Sequence, residues 1–102
     1  MTTKILMVED QKLMRIGLKS LFDDYPELEI IGEAVNGKEA IEKAKLIKPD
    51  IILMDLGLPD ISGIEATKKI LEHNSNIREI CFAPLPSRCS GRLARMLESS
   101  AN

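Results

Sequence analysis

Asp50-Ile-Ile-Leu-Met-Asp55-Leu-Gly-Leu-Pro59-Asp-Ile-Ser-Gly63 is the stretch that decides how the rest of the chain is read. Four apolar residues, Ile51 to Met54, end abruptly in an aspartate and then in a loop punctuated by Pro59 and Gly63. A short apolar run bounded in this way predicts a strand buried on both faces. Asp55 then falls where the strand leaves the sheet, at the carboxyl edge where open α/β folds bind their ligands. A single aspartate there would read first as a solvated loop carboxylate. Asp55 is not single, because Lys4-Ile-Leu-Met-Val-Glu9-Asp10 repeats the pattern of an apolar strand followed by acid.

Working outward, the apolar period switches repeatedly. Residues 4–8 predict a first strand. Residues 11–24 predict a helix with Met14, Leu18, Leu21 and Phe22 at helical spacing, and with Leu13 and Ile16 widening that face. Pro26 closes it, since the residue before a proline resists the α region. A second strand over 28–35 leads through the Asn36-Gly37 turn to a helix over about 38–47, with Ala40, Ile41 and Ala44 on one face. Lys48-Pro49 ends that helix and residues 51–54 form strand three. A third helix over 64–72 alternates Ile64, Thr67, Lys68, Ile70 and Leu71 between core and solvent, and residues 77–82 predict strand four. Strands alternating with helices imply a doubly wound parallel α/β sheet.

The chain has 102 residues, enough for one core and not two. With three aromatic residues and no Trp, that core must be aliphatic. A formal net charge of -2 lacks the basic footprint of a nucleic-acid binder, so no direct nucleic-acid partner is expected. No apolar run reaches the length of a membrane span and no signal peptide opens the sequence, which predicts a cytoplasmic protein without a membrane partner. Cys81 and Cys89 match no disulfide framework or zinc spacing and read as free thiols.

If strands one and three are neighbours, Glu9, Asp10 and Asp55 converge at one edge. Three carboxylates in one pocket repel one another unless a cation sits among them. Hard oxygen ligands with room for water suit Mg²⁺. A carboxylate beside such a cation points to phosphoryl chemistry, with the carboxylate itself as nucleophile and an acyl phosphate as product. Asp10 is also well suited to cap the first helix, and the two roles are compatible. Pro59 fixes φ in the loop after the nucleophile, and Gly63 permits a close turn into the third helix.

These residues resemble the receiver domain of two-component response regulators from Lys4 to about Ile80. The likeness is carried by Glu9-Asp10 after strand one and by Met54-Asp55-Leu-Gly57-Leu-Pro59-Asp-Ile-Ser-Gly63. Leu13-Met-Arg15-Ile-Gly17-Leu18 and Gly32-Glu-Ala-Val-Asn-Gly37-Lys-Glu-Ala40 look more specifically like receivers of the NarL/FixJ type. The resemblance implies a flavodoxin-like, CheY-like (βα)₅ fold with sheet order 2-1-3-4-5. It implies that Asp55 takes phosphate from the histidine of a sensor kinase or phosphotransfer protein. It implies too that Glu9, Asp10, Asp55 and the backbone carbonyl of Gly57 hold Mg²⁺, with no enzymatic turnover beyond self-phosphorylation.

The chain departs from that pattern near residue 80. Residues 1–78 hold 11 basic and 14 acidic side chains, the basic ones mostly Lys; residues 79–102 hold three Arg, no Lys and two acids. The switch Thr or Ser that ends strand four in the family is not found at Phe82-Ala83-Pro84, with Ser87 the nearest hydroxyl. The phosphate-binding Lys that ends strand five is not found either, since no Lys follows Lys69. The expected organisation is therefore a partial receiver over 1–80 and an atypical tail over 81–102, incomplete at the carboxyl end through truncation or frameshift of a longer regulator. Leu93, Met96 and Leu97 have the spacing of a short helix or a substitute cover, and Arg92 and Arg95 read as its solvated face. Without a fifth strand and helix, strand four is an edge and one apolar face is half uncovered, which predicts a marginal monomer or a homodimer. Two further readings stand beside the phosphoacceptor. One is a receiver-like interaction module, a decoy or a non-functional truncation product. The other is an aspartate phosphatase of the haloacid-dehalogenase type, which needs a second Asp where this chain has Gly57.

Overall fold

The computed structural model describes residues 2–74, 77 and 79–83. Strands and helices alternate: β1 (Thr3–Val8), α1 (Lys12–Phe22), β2 (Leu28–Ala34), α2 (Gly37–Ile47), β3 (Ile51–Asp55), α3 (Gly63–His73) and β4 (Glu79–Ala83). The strands form one parallel sheet in the order β2-β1-β3-β4. This is the expected topology through strand four. A fifth strand, Ser87, Cys89 and the helix expected near residues 90–98 fall outside the described residues.

The two central strands make the core because both their faces are covered. Ile5, Met7, Ile51 and Leu53 join Phe22, Tyr25 and Leu28 on the α1 side. Leu6, Val8, Ile52 and Met54 join Ala34, Ala40, Ala44, Ala66 and Ile70 on the α2 and α3 side. At roughly 1.5–3 kcal/mol for each large side chain withdrawn from water, these eight strand residues anchor the sheet. Their anchoring also fixes where β1 and β3 end. The β1–β2 register slips by one residue between Ile5 and Leu6, which sets Ala34 opposite Val8 at the carboxyl edge.

Helix faces are narrower than the sequence predicts. On α1, Phe22 is buried and Met14 and Leu18 are half-buried, but Leu13 is 84% exposed and Ile16 52%. An 11-residue helix meets a sheet along one stripe, and Leu13 and Ile16 lie off it. On α3 the buried residues are Gly63, Ala66 and Ile70, whereas Ile64 and Leu71 are exposed. Small side chains there let the helix approach the sheet closely. The helix starts are local: Asn36 accepts from the Glu39 N–H at 2.8 Å and Ser62 from the Glu65 N–H at 3.1 Å. α2 stops at Lys48, which precedes Pro49 and takes a left-handed φ of 48°.

At the amino end of the sheet, β1 and β3 are tied by Asp50. Its carboxylate accepts from the Lys4 N–H at 3.0 Å, and its own N–H donates to the Lys4 carbonyl at 2.8 Å. The carboxyl end is different.

Candidate functional site

Val8 lies opposite Met54, so the residues that follow β1 and the last residue of β3 arrive together at the carboxyl edge. Glu9 is buried, Asp10 exposed and Asp55 half-buried. One carboxylate oxygen from each lies within 4.8 Å of the others. The three acids expected to converge do so.

Local geometry explains how they are aimed. Gln11, not Asp10, occupies the position before α1, and its side chain makes no cap bond. The capping role considered for Asp10 is therefore corrected: the chain turns one residue later, which leaves the Asp10 carboxylate in the acidic cluster. The Gln11 N–H donates to Glu9 Oε2 at 3.1 Å. Behind Glu9, Arg15 Nη1 donates to the Glu9 carbonyl at 2.8 Å while Arg15 Nε lies 3.4 Å from Glu33 Oε1. Lys19 reaches the other Glu33 oxygen at 2.8 Å.

Burial pushes the Glu9 carboxyl up from its ordinary value of 4.5 to about 7. The Gln11 N–H works against that rise, and the neighbouring carboxylates of Asp55 and Asp10 add to it. Glu9 is thus an acid held in a place that disfavours its own charge, among groups of the same sign. Such a donor set of hard oxygens fits a divalent cation such as Mg²⁺, because the cation reverses the electrostatics that raise the pKa.

The loop after Asp55 is clasped at several points. The Gly57 N–H donates to Asp55 Oδ1 at 3.1 Å, and the Gly63 N–H donates to the Leu56 carbonyl at 3.1 Å. A Cβ on Gly63 would lie 2.4 Å from the Asp55 carbonyl oxygen, so the close turn predicted there is required by backbone approach. Gly57 and Pro59 sit exposed at the rim. The residue the sequence reading passed over is Asp60. Its Oδ1 accepts from the Gly37 N–H at 2.8 Å and its Oδ2 from the Lys38 N–H at 2.9 Å, while Ile61 N–H donates to Oδ1 at 2.8 Å. These N–H groups, Gly37 first, hold the Asp60 carboxyl below its ordinary value. An Asp after Pro reads as a local turn residue; nothing in its neighbourhood announces a partner 23 positions away.

On the other flank, β4 sets Ala83 opposite Asp55.

Comparison with known proteins agrees with this geometry. Residues 5–84 match the family model described as response regulator receiver domain. The response regulator protein VraR of Staphylococcus aureus is 49% identical over 70 residues, which is 69% of this chain and 34% of that protein. A LuxR-family two-component response regulator from Aurantimonas sp. SI85-9A1 superposes with a TM-score of 0.75 at 30% identity, over 85% of this chain and 64% of that one. The CheX–CheY complex of Borrelia burgdorferi with BeF3 and Mg²⁺ gives 0.71 at 28% identity, covering 78% of this chain and 60% of that one. The chain spans about a third of the length of the curated relatives it matches. Among the described residues, no helix is long and apolar enough to cross a membrane.

Proposed function

This chain belongs to the response regulator receiver domain family, and on that premise we propose that Asp55 accepts a phosphoryl group from a phosphohistidine of a sensor kinase or phosphotransfer protein. The observation that carries this reading is the meeting of Glu9, Asp10 and Asp55 within 4.8 Å at the carboxyl edge, with Asp55 the last residue of β3. An Asp55 carboxylate oxygen attacks phosphorus as the P–N bond to the donor imidazole breaks, and the product is an acyl phosphate on Asp55. The Gly57 N–H fixes the rotation of the attacking carboxylate. Gln11 N–H and Arg15 hold Glu9, the first by its side chain and the second by its carbonyl.

Glu9, Asp10, Asp55 and the backbone carbonyl of Gly57 would hold Mg²⁺, which when bound offsets negative charge on the incoming phosphoryl group. The solved Borrelia complex containing both BeF3 and Mg²⁺ supports this reading for a relative of the same fold. A homodimer that covers the sheet face expected to be half uncovered is part of the same reading, and sedimentation across a concentration series tests it.

Incubation with acetyl phosphate and MgCl₂ followed by intact-mass measurement tests the phosphoacceptor directly. The expected result is one phosphate on the wild type, none in EDTA and none on Asp55→Asn. A phosphate that persists on Asp55→Asn overturns the assignment, and a wild type that takes none overturns the function.

A further inference from the structure

We infer that Asp60 is a positioning residue for the phosphoacceptor loop, because its carboxylate bolts the outer half of that loop onto the first backbone N–H groups of α2. The observation is independent of the acidic cluster. Asp60 Oδ1 and Oδ2 each take one N–H of the helix start, Gly37 at 2.8 Å and Lys38 at 2.9 Å. A helix leaves its first N–H groups without internal partners, so a carboxylate supplied from elsewhere meets both the geometry and the dipole of that end.

Packing closes the same joint. A Cβ on Gly37 would lie 2.3 Å from Ile61 Cγ1 and 3.2 Å from Asp60 Oδ1, so a side chain at residue 37 would push the loop off the helix. The helix does not depend on Asp60 for its whole start, since Asn36 already accepts from the Glu39 N–H. What Asp60 adds is a connection between two segments far apart in sequence. Between this joint and the Gly63 N–H bond to the Leu56 carbonyl, the loop carrying Gly57 is held at both ends. Leu58 and Ile61 pack against the core from the same loop, while Gly57 and Pro59 stay exposed at its rim, so Asp60 supplies the polar fastening to α2 that apolar packing does not.

The positioning role rests on the phosphoacceptor reading given above, but the joint itself does not. The test therefore has two readouts and a matched control. Asp60→Ala removes the joint; Asn36→Ala weakens the same helix start and leaves the loop untouched. In the metal-free protein, amide hydrogen exchange at the buried Gly63 N–H reports the loop alone. In the presence of MgCl₂ and acetyl phosphate, the initial rate of Asp55 phosphorylation reports its consequence. Asp60→Ala is expected to speed Gly63 exchange and to slow phosphorylation about ten-fold, the scale on which supports of metal ligands act. Asn36→Ala is expected to lower the urea midpoint while changing neither readout. Asp60→Asn, which keeps one acceptor oxygen, is expected to fall between wild type and Asp60→Ala, and it decides the matter if Asp60→Ala does not fold. Equal effects from Asp60→Ala and Asn36→Ala overturn the inference, as does an unchanged Gly63 exchange rate in Asp60→Ala. If Gly63 exchange rises but neither wild type nor variant takes phosphate, the joint stands, while the phosphoacceptor reading fails and the positioning role with it.

Discussion

The same pair of strands carries an aspartate at each end of the sheet, with opposite consequences. Asp50 directly precedes β3 at the amino edge, where its carboxylate meets a backbone N–H and its own N–H meets a carbonyl of β1. Asp55 closes β3 at the carboxyl edge, where it meets Glu9 and Asp10, groups of its own sign. A carboxylate given donors stabilises the chain; carboxylates given one another store a demand for a cation. The amino edge is therefore a fastening and the carboxyl edge a candidate site, although the residue type is the same and both lie at ends of β3.

The largest test of that contrast removes the acid at the carboxyl end. Asp55→Asn should abolish phosphorylation, and by deleting a like charge it should also lower the Glu9 pKa from about 7, measurable by NMR titration of the side-chain carboxyl. A Glu9 that still titrates near 7 in that variant would show that burial alone sets the value.

Next in size is the pH dependence of the metal-free protein. Glu9 is raised in the folded chain from 4.5 to about 7, so its contribution to stability is fully present below pH 4.5 and is lost as pH rises through 7. The loss is on the order of 3 kcal/mol from the size of the shift. Urea unfolding in EDTA should show it as a difference between wild type and Glu9→Gln, which cannot titrate. Saturating MgCl₂ should remove most of that difference at neutral pH, and a difference unaffected by Mg²⁺ would break the link between the raised pKa and the cation.

Asp50→Ala should cost about 1–2 kcal/mol by taking an acceptor from the Lys4 N–H, with no effect on phosphorylation of the folded protein. If this variant instead slows phosphorylation at saturating Mg²⁺, the two edges are not separable. The smallest effect on stability is expected from titration of Asp60. Its folded pKa is held below the ordinary 3.8, so its contribution is present above that value and lost as pH falls through the lower folded value. Acid unfolding of Asp60→Asn should begin at slightly higher pH than in wild type, followed by circular dichroism.

Much of this was legible in the sequence. The apolar runs over residues 5–8 and 51–54 are strands buried on both faces, and their length suits a strand rather than a helix. The three acids follow those runs directly, so their convergence needs only that β1 and β3 be neighbours. The patterns Asn36…Glu39 and Ser62…Glu65 were available signals for both helix starts, one residue earlier than the periodicity alone placed them. Leu13 and Ile16 misled because helical spacing marks which residues share a face, not how wide a stripe the sheet can cover.

By itself, then, the sequence determined the order of elements, the parallel sheet and the identity of the acidic triad, since each depends on local periodicity and on which residues end a strand. Tertiary structure alone decided the rest. The raised pKa of Glu9 comes from burial and from the neighbouring carboxylates, and Gln11, not Asp10, takes the position before α1. The joint between Asp60 and the start of α2 joins residues with no local reason to meet. Distances across a sheet are set by register and packing of the whole core, and no window of sequence contains them.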